Sequence, residues 1–217
     1  MYLTQFMFNP VRRGAQKLLS SPHALHAAVL AGFPDPSATD EGRVLWRLDS
    51  ARNQAKLLIV SPGQPDLTHL AEQAGWPSLE DGWRTRPYQR VLGRIEVGHR
   101  YAFRLTANPT RSTRPVPGGR GKPFGHVTVS QQEEWLLNRQ HRGGFRVDGD
   151  DDQKAVLIRD RKLITFRRRE DSVTLRVVTY EGLLEVIDRD AFVATLTHGL
   201  GRAKGYGCGL MTIAAVS

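Results

Sequence analysis

Residues 44–60, Val44-Leu45-Trp46-Arg47-Leu48-Asp49-Ser50-Ala51-Arg52-Asn53-Gln54-Ala55-Lys56-Leu57-Leu58-Ile59-Val60, decide how the chain folds. Val44 to Leu48 and Lys56 to Val60 are runs of β-formers, and the polar or small residues Asp49 to Gln54 turn the chain between them. Working back, Tyr2 to Phe8 reads as a strand stopped by Asn9-Pro10, and Arg12, Arg13 and Lys17 fall in a polar connection. Ser20-Ser21-Pro22 then opens a helix, serine as its cap and proline in its first turn, running from His23 to about Gly32. Working forward, Asp66 caps a second helix with Leu67, Leu70, Ala71 and Ala74 at helical spacing, and Arg90 to Val97 is a further strand. Strand, helix, strand, strand, helix, strand is the ferredoxin-like order.

The second half repeats it. Arg100 to Leu105 alternates apolar and polar residues, and a helix starts at Ser130 with Glu133 placed for a capping box. Phe145 to Val147, Leu163 to Arg168 and Val173 to Ile187 supply strands, the last two a hairpin turning at Glu170-Asp171-Ser172. Asp188 caps a helix through Phe192, Leu196 and His198, and Leu210 to Val216 is the closing strand. The expectation is an α+β chain of two tandem ferredoxin-like domains, residues 1–97 and 98–217, with a C-terminal glycine-rich loop.

That loop is Gly199-Leu200-Gly201-Arg202-Ala203-Lys204-Gly205-Tyr206-Gly207-Cys208-Gly209-Leu210. Glycines let a ligand approach the backbone, successive N–H groups cradle anions, and Arg202 and Lys204 add full charges. A dinucleotide fingerprint would open a βαβ unit, and a phosphate-loop NTPase needs Gly-Lys followed by Ser or Thr. Neither pattern is present here or at Gly118-Gly119-Arg120-Gly121-Lys122-Pro123. The plain alternative is a capping loop between helix and strand, although Gly199, Gly201, Gly205, Gly207 and Gly209 are more glycines than a cap requires.

The 217 residues carry 31 Lys+Arg against 22 Asp+Glu, a net charge of +9. Arginine outnumbers lysine, and its planar fork matches phosphate oxygens, so the excess points towards nucleic acid. From Arg100 to Arg146 there are nine cations and two acids, and the loop with Arg111, Arg114, Arg120 and Lys122 is rich in glycine and proline. It reads either as a basic arm following a nucleic-acid backbone or as a solvated insertion. Arg167-Arg168-Arg169 ends a strand at a hairpin, where three cations repel unless an anion joins them. Asp148-Gly149-Asp150-Asp151-Asp152 lacks the spacing and final glutamate of a calcium loop and reads as an exposed turn. No apolar run approaches the roughly 18 residues of a membrane span, no secretory signal opens the chain, and the single Cys208 fits a reducing cytoplasm.

His23 and His26 stand three apart in the first turns of the first helix, hence on one face. They make a poor metal pair, with no third ligand nearby in sequence. At the positive end of a helix an imidazole is held neutral and able to accept a proton. Beside a phosphate-gripping surface that suits RNA cleavage, where the 2′-hydroxyl needs a base and the departing 5′-oxygen an acid.

Several stretches together resemble one family. They are Met1-Tyr2-Leu3-Thr4, the helix around Leu25-His26, Phe103-Arg104-Leu105-Thr106-Ala107-Asn108-Pro109, Tyr180-Glu181-Gly182-Leu183-Leu184-Glu185-Val186, and the glycine loop through Met211. The chain is similar to CasE, the precursor-CRISPR-RNA endoribonucleases of type I-E systems within the repeat-associated mysterious protein group. The resemblance implies a cytoplasmic enzyme of the tandem fold that binds the CRISPR repeat RNA hairpin and cleaves at the 3′ base of its stem. It implies cleavage with no metal and no small-molecule cofactor, leaving a 2′,3′-cyclic phosphate, with the product retained among the other Cascade subunits. The family's histidine falls on His26, taken as the main acid/base residue, and its usual tyrosine is here His23. Basic residues that often follow are replaced by Ala27 and Ala31, so phosphate neutralisation has to come from elsewhere. Arg111, Arg114, Arg120, Lys122, Arg167, Arg168 and Arg169 are candidates to hold the stem, with Arg202 and Lys204 nearer the cut. The runner-up is a non-catalytic repeat-RNA-binding subunit of the same group.

Overall fold

The computed structural model describes residues 1–51, 54–77, 82–113, 122–149, 155–168 and 170–216. Strand β1 (Tyr2–Phe8) leads into helices α1 (Arg13–Leu19) and α2 (Pro22–Leu30). The hairpin β2 (Leu45–Ala51) and β3 (Gln54–Ser61) follows, then α3 (Thr68–Ala74), β4 (Trp83–Pro87) and the short α4 (Gln89–Leu92). The four strands form one antiparallel sheet in the order β2-β3-β1-β4, the ferredoxin-like arrangement. Period-two alternation in β1 puts Thr4, Phe6 and Phe8 on one face, where the two phenylalanines pack with Ala15, Leu18, Leu25, Val29 and Leu70 of the helices.

The second unit runs β5 (Arg100–Ala107), β6 (Thr110–Thr113), β7 (Lys122–Gly125), α5 (Val129–Gln140), β8 (Phe145–Val147), β9 (Val156–Arg168) and β10 (Asp171–Val186). It closes with α6 (Arg189–His198), a single 3-10 turn (Lys204–Tyr206) and β11 (Met211–Ala215). Its main sheet has the order β11-β5-β10-β8, with β9 also paired to β10. The place of the second ferredoxin strand is therefore divided. β8 pairs with Leu184 to Val186 at one end of β10, and β9 pairs with Asp171 to Gly182 over the rest. Because β5 covers β10 only from Val178 to Glu185, the β9–β10 hairpin beyond it projects as a two-stranded ribbon.

Four readings of the sequence are corrected. The residues Arg13 to Leu19, read as a polar connection, are helical: Ala15 and Leu18 are buried, and Arg12 donates to the carbonyls of Ala71, Glu72 and Gly75 at the end of α3. Of the cations that suggested a loop, Arg12 caps a neighbouring helix. Arg90 to Val97 is not a strand: it starts inside α4 and runs on past it, with Leu92 and Ile95 turned into the core; the fourth strand is Trp83–Pro87, whose largely exposed positions hid it. The capping box of α5 is Thr128 with Gln131, not Ser130 with Glu133. The second hairpin turns ahead of Asp171, which already pairs with Arg168. Of the acidic turn, Asp148 pairs with Arg100, and residues 150–152 lie outside the described residues.

One buried guanidinium joins the two units. Arg47 of β2 is 2% exposed. It grips Asp49 through both carboxylate oxygens at 2.8 and 3.0 Å, and donates to the carbonyl oxygens of Arg104 (2.7 Å) and Leu210 (3.2 Å) and to Thr212 Oγ1 (2.9 Å). It thereby ties β2 to β5 and β11, and fixes where the glycine loop, just ahead of β11, meets α2.

Candidate active site

The site is built on the start of α2. Ser21 accepts a hydrogen bond from the Ala24 amide at 3.2 Å, Pro22 fills the first helical position, and Leu25 and Val29 anchor the buried face. That fixes the rotation of the helix, leaving His23 exposed and His26 half-buried.

The glycine loop closes over His26. A Cβ on Gly205 would lie 3.2 Å from His26 Nε2, so only glycine lets the 3-10 turn approach the ring without displacing it. Two residues on, Gly207 has φ 78° and sits where a Cβ would strike the Trp46 ring at 2.6 Å. Trp46, 2% exposed in β2, completes the pocket by donating its indole N–H to His26 Nδ1 at 3.3 Å. With Nδ1 an acceptor, the neutral ring carries its proton on Nε2, the atom facing Gly205.

His26 is held below the ordinary histidine value, first by burial and then by the charges of His23 and Arg43. Lys204, half-buried in the 3-10 turn, is likewise lowered by burial and by Arg43. Arg43 just precedes β2, its backbone N–H bonded to the Thr197 carbonyl at 3.2 Å. Its Nε is buried and has no hydrogen-bond acceptor among the described residues.

The other cations separate into two groups. Arg167 and Arg168 are exposed near the tip of the ribbon, and the adjacent Phe166 packs on Tyr206 with ring centroids 4.8 Å apart. The ribbon thus reaches the same turn that covers His26. Arg202 bridges to Asn108 and lies at the other end of the glycine loop, where Gly201 abuts Trp135. There Arg111, His126, Arg139 and Arg202 line a hollow of about 470 Å³. Arg202 is therefore grouped with Arg111 rather than with Lys204. Arg114, Arg120 and Arg169 lie outside the described residues, and of Lys122 only the backbone, paired with Thr113 in the β6–β7 hairpin, is described. Between the units a cleft of about 590 Å³ runs past Leu25, Trp46, Asp49, Arg104, Glu181 and Tyr206. Its charges are largely paired internally, Arg104 with Glu181 and with Asp49 and Lys162 with Asp160. Cys208 is fully buried, and burial pushes its thiol up to about 12, so it takes no part in the surface chemistry.

The sequence by itself does not single out Trp46 or Arg43. A tryptophan in an apolar strand reads as core, and a lone arginine before one reads as surface. Only their three-dimensional convergence on His26 distinguishes them.

Two ferredoxin-like units, with a glycine ribbon ahead of the last strand closing on a histidine in the first helix, define a tandem ferredoxin-like protein. The chain belongs to the CRISPR associated protein family, whose model matches residues 1–215. It is 29% identical over 224 residues to the CRISPR-associated endoribonuclease Cse3 of Thermus thermophilus, covering 99% of this chain and 100% of that one. It superposes with a TM-score of 0.81, at 28% identity and 98% coverage of both chains, on Thermus thermophilus Cse3 bound to an RNA representing a pre-cleavage complex. A chain of a CRISPR RNA-guided surveillance complex in its pre-nicking state shares the fold, with TM-score 0.71, 21% identity and full coverage of both chains.

Proposed function

We propose that this protein is an endoribonuclease that binds the hairpin of a CRISPR repeat and cuts precursor CRISPR RNA at the 3′ base of the stem. One observation carries the reading: the half-buried imidazole of His26 and the cationic glycine ribbon form one site, with Gly205 against the ring and Lys204 beside it. The full-length likeness to an endoribonuclease of the same family supports it.

In the proposed step the ribose 2′-oxygen attacks the adjacent phosphorus. The P–O2′ bond forms as the P–O5′ bond breaks, giving a 2′,3′-cyclic phosphate and a free 5′-hydroxyl. His23, exposed one turn before His26, takes the 2′-hydroxyl proton. His26 delivers a proton from Nε2 to the departing 5′-oxygen. The donating form of His26 is the imidazolium, and a phosphodiester placed between His26 and Lys204 offsets the cations that keep the ring neutral in the free protein. The Trp46 indole cannot serve a protonated Nδ1, so it holds the ring in place and favours neutrality until substrate arrives.

Arg167 and Arg168 on the ribbon, and Arg111 with Arg202 beside α5, are proposed to grip the stem backbone. No metal enters this scheme, and the product is retained as the protein takes its place in Cascade. The division into a catalytic unit over residues 1–97 and an RNA-gripping unit over 98–217 belongs to the same proposal.

The test is incubation of the purified chain with its own repeat RNA in excess chelator, followed by analysis of the product ends. A cut at the 3′ base of the stem with a cyclic phosphate is expected. Cleavage abolished by chelator overturns the metal-free scheme, and tight binding with no product after long incubation assigns the non-catalytic role instead.

A further inference from the structure

Among the described residues, four groups able to carry positive charge gather around this site. His23 and His26 come from α2, Arg43 from the segment before β2, and Lys204 from the 3-10 turn; β2 itself contributes the uncharged Trp46. Arg43 leads into β2 three residues ahead of Trp46, whose ring meets both His26 and Gly207 of the glycine ribbon, and its charge lowers both His26 and Lys204. Among the described residues it forms no ion pair, and its buried Nε–H has no acceptor. Four other arginines have carboxylate partners: Arg47 with Asp49, Arg100 with Asp148, Arg104 with Glu181 and Arg146 with Glu185. A buried donor without an acceptor, beside other cations, calls for an anion. The backbone makes the placement deliberate. Arg43 N–H is fixed to Thr197 O, and Gly42 ahead of it (φ 155°) lies where a Cβ would stand 2.8 Å from both Met1 and the Thr197 carbonyl.

From this convergence we infer that Arg43 is a catalytic residue, which with Lys204 binds the non-bridging oxygens of the phosphodiester cut beside His26. This deepens the endoribonuclease reading and rests on it for the identity of the phosphate. It also supplies the charge that Ala27 and Ala31 do not. Arg43 neutralises the pentacoordinate phosphorane, whose extra negative charge develops only in the transition state, while the many stem contacts carry most of the affinity.

The test compares wild type, Arg43→Gln and Arg43→Lys as full chains, in two assays. In the first, inorganic phosphate is titrated while the His26 ring is followed by NMR. Wild type is expected to show a saturable shift, weakened at least ~10-fold in Arg43→Gln and partly kept in Arg43→Lys. Without phosphate, Arg43→Gln raises the His26 pKa, because a lowering charge is gone; a merely structural arginine moves neither signal in this way. In the second assay, single-turnover cleavage of repeat RNA falls about 10²-fold in Arg43→Gln, with hairpin affinity within ~3-fold of wild type. Equal phosphate titrations in wild type and Arg43→Gln, equal cleavage, or equal losses in cleavage and affinity overturn the assignment. An Arg43-dependent phosphate site in a wild-type protein that cuts no repeat RNA overturns the endoribonuclease reading and with it the catalytic role, leaving an anion site. Cleavage unaffected by the substitution removes Arg43 alone.

Discussion

Gly205 meets His26 at a spot where a methyl group would lie 3.2 Å from Nε2, and its own φ is one that alanine can adopt. Gly205→Ala is therefore expected to leave the fold intact and push the imidazole or the ribbon by a few tenths of an ångström. Since small misplacements of reacting groups are costly, single-turnover cleavage should fall by roughly 10- to 100-fold with hairpin binding little changed. Unchanged cleavage means the ribbon does not position the ring. Trp46 acts on the same histidine from the other nitrogen. Trp46→Phe removes the donor to Nδ1 that favours the neutral ring and opens the pocket, so His26 should titrate at higher pH, read from its ring resonances. The loss of a buried indole also costs about 1–3 kcal/mol of stability, which chemical denaturation measures. Position 26 was legible in the sequence through its place in a capped helix. Its partners were not, because contacts between residues 26, 46 and 205 are made by the fold and leave no local periodicity.

At the scale of elements, β2 does two jobs on alternate residues: Trp46 faces the histidine and Arg47 faces the second unit. Arg47→Ala strips a buried ion pair, takes this donor from two carbonyls and leaves Asp49 with Arg104 as its remaining partner. The expected loss is about 3 kcal/mol, read as a lower urea midpoint. A loss under about 0.5 kcal/mol would mean the guanidinium is not the tie between units. The strands β1, β2, β3, β5 and β10 and the helices capped by Ser21 and Asp188 were readable because a single physical signal dominates each. Tyr2 to Phe8 is nearly all β-formers, and Asp188 does accept from the Ala191 amide at 3.0 Å. Helix α1 and strand β4 were obscured by charge. The guanidinium of Arg12 is engaged with carbonyls of α3, and the Arg84 and Arg86 side chains leave β4 with no clean apolar face.

The molecule as a whole should lose stability with acid in two separate windows. His26 has its folded pKa lowered by burial and by neighbouring cations, so the unfolded chain binds its proton more readily. Its contribution is complete above the ordinary value of about 6.5 and is lost as pH falls from there through the lowered folded value. Burial alone would raise Asp49, but Arg47 and Arg104 outweigh it and its pKa is lowered. Its contribution is complete above the ordinary carboxylate value of about 3.9 and disappears as pH drops through the depressed one. Urea midpoints taken from pH 8 to pH 3 should show both falls. The first should shrink in Trp46→Phe and the second in Asp49→Asn, and a flat profile between pH 7 and 5 contradicts the assignment of a neutral buried ring.

These scales meet in the phosphodiester that the first helix and the glycine ribbon are proposed to enclose. The decisive measurement is the single-turnover rate of repeat-RNA cleavage in chelator by His26→Ala against wild type, with hairpin affinity measured in parallel. A fall of at least ~10²-fold in rate, with affinity preserved, is the expected result. A variant that cuts the same bond at the wild-type rate contradicts the placement of the chemistry at His26.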